Sequence, residues 1–490
     1  MHILSKRNLF ALLSAMLFPA LACADGADAE TRMRDLEKQL QVLSQELAAM
    51  QQQMANAKEE KVKEKGKSQG APVYAAFKDG ITLEDGSGNW KLAINGRVQA
   101  DYRQFSPDED AADTFSLRRA RLGGTLTFYK DYVVRVEGEY SGGSTTLTYG
   151  YVDINKFPAA KLRLGQFKPF YGLERSMSSN FTDFQERSLA DTLPGSTFDR
   201  GVMLYGSPTT GLTYSLAYVN GTGTTDENNA KVDGKDYTAR LTGNFAELMD
   251  WKNAVVHIGG FYADGNEASR RQAGFIPIGQ TEGRGTQFFA TTCASPTCGG
   301  IAATANAFNE HVGRTRSGFE TAIAYGAIKL QGEAINTNFE GDGFSRGIDA
   351  WYASLMWNVT GESFADMYKE GVFGRLRPKN NYMAGADGWG AFQLGLRYSQ
   401  FNASDFKRTN AAGTGVLLNN SAGTSDGLLV ATNEAESWTL GLNWIFNPNV
   451  RVVTNLIRTN FDTPIVVRAN GVNKALDNED ALTMRAQFDF

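Results

Sequence analysis

The chain is poor in the side chains that build most catalytic and metal sites. Its 490 residues include three histidines and three cysteines. No G-x-S-x-G elbow and no H-E-x-x-H run accompanies His257 or His311. The glycine-rich run that begins at Gly221 does not precede a predicted helix, as a phosphate-binding loop would. We therefore expect neither an enzyme nor a bound cofactor or metal.

The chain also lacks an excess of positive charge and long apolar runs. Its formal net charge is −5, so nucleic acid is not an expected partner. Beyond the first residues, no run of about eighteen apolar residues predicts a transmembrane helix. This does not argue against a membrane protein built from strands, because their alternation averages apolar against polar residues.

The N-terminus has the three parts of an export signal. Two basic residues precede an apolar run over residues 9–21, and small residues follow up to Ala24. We predict a signal peptide over residues 1–24, cleaved after Ala24 together with Cys23. Lipidation of Cys23 is the alternative, but Ala20 stands where a lipoprotein signal has leucine.

Two cysteines remain in the mature chain, Cys293 and Cys298, and they lie in one polar loop. In an oxidising compartment they could form a small local disulfide. Two thiols without a nearby histidine pair do not make a zinc site.

Residues 25–57 show a coiled-coil pattern. Apolar residues alternate at spacings of three and four, which predicts a seam for self-association. The seam consists of Met33, Leu36, Leu40, Leu43, Leu47, Met50 and Met54. An amphipathic helix packed on the rest of the protein is the alternative. Residues 58–89 then read as a charged linker that leads to the next domain.

From Trp90 onward the apolar period changes to two, which is the period of β-strands. About sixteen such segments follow. They start near Trp90, Phe115, Tyr132, Leu147, Lys161, Gly201, Leu212, Tyr237, Ala254, Gly318, Ile328, Ile348, Ala391, Glu436, Val450 and Asp480. The final segment alternates up to Phe490, which we expect in an aromatic girdle at the membrane surface.

The lengths of the links between these segments alternate. Links 106–114, 168–200, 220–236, 263–317, 402–435 and 462–479 are long, whereas links 130–131, 157–160, 207–211, 325–327 and 447–449 are short. This alternation is typical of outer-membrane barrels. We predict an all-β domain over residues 90–490, a sixteen-stranded antiparallel transmembrane β-barrel. The length of link 360–389 does not fit the pattern.

The long link 168–200 is rich in aromatic and basic residues and has no helical or strand period. Long ordered loops are usually functional, and the aromatic content argues against disorder. We predict that this loop folds into the barrel as a constriction.

The polar phase of the strands is rich in arginine and is expected to face the lumen. The arginines are Arg97, Arg103, Arg119, Arg121, Arg135, Arg163, Arg240, Arg397 and Arg485, against Asp101, Glu137, Glu139, Glu320 and Glu333. Rings of basic residues favour anions. The alternative is a transverse charge screen, in which these arginines face acidic residues of the loops.

Several short runs resemble the phosphate-selective porin O and P family. They are S-L-R-R-A-R-L from Ser116, F-Y-K-D-Y from Phe128, G-Q-F-K-P-F-Y-G-L-E from Gly165, Ser178-Ser179, E-R-S from Glu186, T-G-E-S from Thr360 and F-G-R-L-R-P-K from Phe373. The resemblance covers roughly residues 90–490. It implies a homotrimer in the bacterial outer membrane, surrounded by lipid, that passes small anions such as phosphate or polyphosphate-like oxyanions. It also implies that link 360–389 is a normal feature.

The constriction departs from the family pattern at two places. Ser179 and Arg187 match the resemblance, but Asn180 stands where a lysine is expected. The segment from Tyr237 to Thr242 has a single arginine, Arg240, where a run of alternating arginines is expected. We therefore expect anion preference without a tight phosphate site.

The candidate residues form two groups. The anion-binding candidates are Arg119, Arg121, Lys168, Arg175, Ser179, Arg187 and Arg200, and the pore-lining candidates are Arg97, Arg103, Arg135, Arg163, Arg240 and Arg397. The alternative function is a general, weakly selective porin whose coiled coil also tethers the outer membrane to the cell wall through peptidoglycan.

Overall fold

A computed structural model describes scattered residues between 34 and 52, and residues 72–77, 80–107, 112–193, 197–221, 223–224, 235–267, 279–289, 312–341, 344–383, 388–405, 432–469 and 472–490. The chain divides into two units, Met1–Pro72 and Val73–Phe490. The predicted signal peptide and both Cys293 and Cys298 lie outside the described residues.

In the first unit, the described residues between 34 and 52 are α-helical and exposed. Of the predicted seam, only Met50 is described, and its side chain is 59 % exposed. The coiled coil therefore stays a prediction. Among the residues that the structure describes, no helix is long and apolar enough to span a bilayer.

The second unit is a closed antiparallel barrel. Its strands are β3 (Trp90–Ser106), β4 (Thr114–Phe128), β5 (Tyr132–Glu139), β6 (Thr146–Phe157), β7 (Ala160–Phe167), β8 (Asp199–Thr209), β9 (Leu212–Val219), β10 (Asp236–Asn244), β11 (Ala254–Glu267), β14 (Val312–Tyr325), β15 (Ile328–Gly341), β16 (Phe344–Asn358), β19 (Ala391–Asn402), β20 (Glu434–Asn447), β21 (Val450–Ala469) and β22 (Val472–Asp489). Each strand pairs with the next, and β22 pairs with β3 from Asp489↔Arg97 to Asp480↔Ser106. The predicted closed barrel of sixteen strands is confirmed.

A hairpin precedes the barrel and extends its sheet. Strands β1 (Val73–Phe77) and β2 (Ile81–Asp85) pair with each other, and β2 pairs with β3 from Ile81↔Ile94 to Glu84↔Lys91. Gly80 has φ 138°, and a Cβ there would lie 2.7 Å from the carbonyl oxygen of Ile94. The sequence predicts a charged linker and barrel entry over residues 58–89, and the strands of this entry start at Val73.

The two faces of the barrel are the inverse of those of a water-soluble sheet. Along β22, Met484 and Phe488 are 41 % and 45 % exposed on the outer face, whereas Arg485 and Gln487 are 1 % and 2 % exposed on the inner face. Apolar outward and polar inward alternation is the pattern of transmembrane β-barrels. The outer face therefore contacts lipid, and the inner face surrounds the lumen.

Aromatic residues form a girdle at each rim of this apolar band. At the rim with short links, the ring centroids of Trp90 and Phe128 lie 5.7 Å apart, and those of Phe128 and Tyr132 lie 5.3 Å apart. At the rim with long loops, Tyr398 lies 4.8 Å from Trp438. Such girdles occupy the two membrane interfaces of outer-membrane barrels.

One of the predicted long links, 462–479, is wrong, since β21 reaches Ala469 and β22 begins at Val472. Pro464 lies inside β21, where the register shifts between Asn460 and Ile465. Proline is tolerated at such an irregularity, because no ladder hydrogen bond is needed there. Strands β14 and β16 also begin earlier than predicted, at Val312 and Phe344.

Three segments fold into the barrel and pack on each other. They are residues 168–198, the hairpin β12 (Gly279–Gln280) and β13 (Gln287–Phe289), and residues 359–390, which include the hairpin β17 (Tyr368–Lys369) and β18 (Val372–Phe373). One apolar cluster joins Leu173 and Phe184 of the first segment to Phe364 and Phe373 of the third. The long link 360–389 is therefore a packed part of the lumen.

Candidate functional site

The segment 168–198, here called the constriction loop, crosses the lumen and is bound to the opposite wall. It leaves β7 at Lys168-Pro169 and forms the short helix Leu173–Ser176. The backbone N–H groups of Leu173 and Glu174 donate to the carboxylate of Glu333 on β15, at 2.8 and 2.5 Å. These two hydrogen bonds hold the start of the loop across the barrel.

A second set of contacts fixes the middle of the loop. The ammonium group of Lys329 on β15 binds both oxygens of Asp183, at 2.9 and 2.7 Å. The side-chain amide of Asn443 donates to the carbonyl oxygen of Asp183 at 2.7 Å. Gln487 donates to the carbonyl oxygen of Asn180 at 3.1 Å. With anchors on β15, β20 and β22, the loop narrows the lumen.

A β-bulge brings an additional arginine to the inner face. In the pairing of β3 with β4, Gln99 lies opposite Arg119 and Ala100 lies opposite Leu117, so that Arg118 has no partner in the ladder. An extra residue of this kind changes the direction of its side chain. Strict alternation would place Arg118 outside, whereas its guanidinium group donates to Glu186 of the constriction loop at 2.8 Å.

Glu186 lies within a set of guanidinium groups that we call the Glu186 cluster. Its members are Arg103, Arg118, Arg119, Arg284 and Arg485. The nitrogen–oxygen distances to the Glu186 carboxylate are 2.7 Å for Arg485, 2.8 Å for Arg118 and 3.2 Å for Arg103. Burial would raise the pKa of Glu186, but the charges of Arg485, Arg118 and Arg119 outweigh burial and hold the pKa well below its usual range.

A cavity of about 520 Å³ opens between the constriction loop and the wall formed by β3–β6. The ionisable side chains that line it are basic in excess, with seven cations against four carboxylates. They are Arg97, Arg118, Arg119, Arg121, Lys168, Arg187 and Arg284, against Glu139, Glu186, Asp191 and Glu282. Among these lining side chains, the formal excess is three positive charges.

The structure brings most of the anion-binding candidates together. Arg119, Arg121, Lys168, Ser179 and Arg187 all line this cavity. The ammonium group of Lys168 donates to the carbonyl oxygen of Met177 at 2.9 Å. Burial and the charges of Arg187 and Arg175 lower the pKa of Lys168 well below its usual value.

Two anion-binding candidates lie outside the lining of the cavity. Arg175 is buried and forms an ion pair with Asp191 at 3.0 Å. Arg200 donates to the side-chain oxygen of Gln166 at 3.0 Å. Both side chains therefore support the fold of the loop and the adjoining strand.

Most of the pore-lining candidates are paired with carboxylates. The closest nitrogen–oxygen distances are 2.7 Å for Arg135–Glu137, 2.7 Å for Arg163–Asp153, 2.8 Å for Arg240–Glu320, 2.5 Å for Arg397–Glu282 and 2.7 Å for Arg103–Asp101. Their charges are compensated locally. Among the side chains that line the cavity, by contrast, basic groups outnumber carboxylates by three.

Asn180 has a contact that the expected lysine could not make. The guanidinium group of Arg97 donates to the hydroxyl oxygen of Ser179 at 2.7 Å and to the side-chain oxygen of Asn180 at 2.6 Å. A lysine has no acceptor and would repel Arg97. Because Asn180 binds Arg97 in this way, the loop has no cation at the place where the family resemblance implies a lysine.

Sequence reasoning missed several charged residues of the lumen. They include Arg118, Arg284, Lys329 and Arg451. Arg118 was not among the predicted lumen residues, because strict alternation with Arg119 and Arg121 places it outside and a bulge cannot be read from the period. Lys329 and Arg451 follow the inward phase of β15 and β21, so alternation could have identified them. Within the described ranges, no cluster of three or more His, Cys, Asp or Glu side chains could hold a metal ion.

Comparisons with known proteins found a matching family model, a curated relative and several solved structures. The family model described as phosphate-selective porin O and P matches residues 92–490. Porin O of Pseudomonas aeruginosa is 25 % identical over 452 residues, which cover 86 % of this chain and 94 % of that protein. Among solved structures, OmpT of Vibrio cholerae has a TM-score of 0.47 and 11 % identity, covering 82 % of this chain and 98 % of that one. The channel DcaP of Acinetobacter baumannii has a TM-score of 0.44 and 12 % identity, covering 83 % and 99 %.

Proposed function

The chain belongs to the phosphate-selective porin O and P family, and from that membership we propose that it gives small anions passive passage through a water-filled lumen. It is a porin of the bacterial outer membrane, a channel and not an enzyme. The substrates that we propose are phosphate and other small oxyanions. No cofactor takes part in this proposal.

The observation that supports anion passage is the charge balance of the cavity beside the constriction loop. Seven basic side chains face four carboxylates there, whereas most of the pore-lining arginines elsewhere in the described lumen are paired with carboxylates. Two unit charges about 4 Å apart interact by about 1 kcal/mol in water and more in a narrow, partly desolvated space. A small excess of positive charge is therefore enough to favour anions over cations.

The contacts of Asn180 support weak rather than tight binding. Its side chain accepts from Arg97, so the cavity lacks the further cation that the family resemblance implies. We expect phosphate to pass without saturating the channel, and other small anions to pass comparably.

For the whole protein we propose a homotrimer with a coiled coil in residues 25–57, a charged linker after it and a signal peptide over residues 1–24. The described residues between 34 and 52 are helical, which a coiled coil requires. The second candidate function is a general porin whose coiled coil binds peptidoglycan. The observation that favours it is the surface of this helix, since Arg34, Lys38 and Glu46 are exposed and polar.

Planar-bilayer recording tests the proposed function directly. The full-length channel is placed in a salt gradient, and the reversal potential is measured with chloride and then with phosphate as the anion. We expect a reversal potential on the anion side with both salts, and conductance that rises with phosphate concentration without saturation. A reversal potential on the cation side would contradict anion passage. Saturation at low phosphate concentration would contradict weak binding.

A further inference from the structure

The carboxylate of Glu186 is bound as a small anion would be bound. One of its oxygens accepts from Arg485, Arg118 and Arg103 at 2.7, 2.8 and 3.2 Å. The other oxygen accepts from Arg118 at 3.3 Å and lies 4.0 Å from Arg284. Guanidinium groups arranged in this way hold oxyanions through charge-assisted hydrogen bonds.

The Glu186 cluster has more positive charge than its own carboxylates balance. Arg103 and Arg485 share Asp101, which accepts from them at 2.7 and 2.7 Å. Arg119 is 8 % exposed, and no carboxylate of the described residues lies within 4.0 Å of it. Five guanidinium groups thus surround two carboxylates, Asp101 and Glu186, and the surplus is three charges.

The cluster can be reached from the lumen. Arg118, Arg119, Arg284 and Glu186 itself all line the cavity beside the constriction loop. The side chains of Arg284 and Arg118 are 38 % and 25 % exposed, whereas the side chain of Arg485 is fully buried. A solute in the cavity therefore meets Arg118, which binds Glu186, and Arg284, which lies 4.0 Å from its carboxylate.

We propose that the carboxylate of Glu186 occupies an oxyanion site as the protein's own counter-anion, and that it keeps the affinity for permeating oxyanions low. This inference rests on the proposed function, because it assumes that anions enter the cavity. It adds a residue that sets the affinity of the channel. Without the Glu186 charge, the site takes a small tetrahedral oxyanion.

The carboxylate of Glu186 is attached to the loop backbone, and this explains why a dissolved anion competes poorly with it for the guanidinium groups. The carbonyl oxygen of Glu186 accepts from both terminal nitrogens of Arg397 at 3.2 Å, which fixes the backbone beside the cluster. A group on a short tether acts at an effective concentration on the order of millimolar or higher. A free oxyanion must reach a comparable concentration before it replaces the carboxylate. Conduction therefore stays fast and unsaturated at lower concentrations.

Replacement of Glu186 by glutamine tests the inference, because Glu186→Gln keeps the size of the side chain and removes its charge. Inorganic phosphate is added to channels that conduct chloride in a planar bilayer. We expect the phosphate concentration that blocks half of the chloride current to be at least about tenfold lower in the variant than in the wild type. The reason is that the tethered competitor, the Glu186 carboxylate, is lost. Equal half-blocking concentrations in the two proteins would overturn the inference.

Glu139→Gln is the matched control. Glu139 lines the same cavity, and its carboxylate binds Arg121 at 2.6 Å outside the Glu186 cluster. Both variants add one positive charge to the cavity, so both should shift the reversal potential towards anions. Only Glu186→Gln should show strong phosphate block. Equally strong block in Glu139→Gln would show that net charge alone is responsible, and would overturn the inference.

Two further measurements keep the inference testable. If Glu186→Gln does not fold, Glu186→Asp keeps the charge and shortens the side chain, and we expect block at an intermediate phosphate concentration. Unchanged block would contradict the inference.

Calorimetric titration of detergent-solubilised protein with phosphate measures binding without conduction. Tighter binding to the variant, combined with a cation-selective wild type, would refute the proposed function and leave the Glu186 site standing.

Discussion

Lumen arginines that look alike in the sequence differ in how their charges are balanced. The period of two places Arg121 and Arg163 on the inner face. It does not show that Arg163 binds both oxygens of Asp153, at 2.7 and 2.8 Å. It also does not show that Arg118 binds the Glu186 carboxylate of the constriction loop. The face of a residue follows from its own strand, whereas its partner depends on the register of several strands.

Arg187 provides a direct test of the basic cavity. Its guanidinium group lines the cavity and donates to the carbonyl oxygens of Glu174 and Met177, at 3.0 and 3.1 Å. A unit charge about 6 Å from the ion path contributes on the order of 0.7 kcal/mol in water, about threefold in local anion concentration. Arg187→Ala should therefore move the reversal potential towards the cation side, most clearly at low ionic strength.

The control for this measurement is Arg458→Ala. Arg458 is exposed on the outward phase of β21 and forms an exposed pair with Asp480. It carries the same charge as Arg187 but lies outside the lumen, so its loss should leave the reversal potential unchanged. No shift in Arg187→Ala would remove Arg187 from the proposed site.

At the scale of elements, the period-two pattern of the sequence predicted the strands of the barrel. It did not predict the structure of the segments inside the barrel. Alternation predicted most strand starts within two residues, because the side-chain period of a strand is fixed by its geometry. It failed over residues 462–479, which were predicted as a link, whereas the strands continue through a register shift that contains Pro464. It also gave no structure for residues 359–390. Their packing depends on contacts such as Phe364 and Phe373 with Leu173, which are distant in sequence.

The anchor between Lys329 and Asp183 should govern the stability of the constriction loop. The Lys329 ammonium is fully buried over the rings of Phe364 and Phe373, at 5.1 and 4.3 Å. Loss of one partner of a buried ion pair costs about 3–5 kcal/mol, and less here because Asp183 retains some exposure. Lys329→Met should lower the melting temperature and increase the current noise of the open channel.

Lys252→Met is the matched control for this anchor. Lys252 pairs with Asp250 at 2.6 Å, and both side chains are exposed. An exposed pair of this kind contributes about 0–1 kcal/mol. We expect an unchanged melting temperature and a quiet channel. Equal behaviour of Lys252→Met and Lys329→Met would show that the Asp183 contact does not hold the loop.

For the whole molecule, the distribution of charge matters more than its sum. The chain carries a formal net charge of −5, whereas the cavity has an excess of three positive charges. A bulk charge of either sign would therefore be a poor guide to ion preference. The sequence resemblance identified the family over residues that the family model also covers. It could not locate the charge excess, since that depends on which arginines find carboxylates in the folded barrel.

Removal of residues 30–67 tests the roles that we propose for the N-terminal helix. The barrel unit begins at Val73, and its strands pair with one another to closure, so the truncated protein should still fold and conduct. If the helix serves as a tether, the truncated protein should conduct like the full-length channel and no longer sediment with purified peptidoglycan. If the helix assembles the trimer, the truncated protein should run as a monomer in cross-linking and in analytical ultracentrifugation. Trimers that persist after the deletion would show that the barrels associate without the coil, and unchanged peptidoglycan binding would exclude the tether.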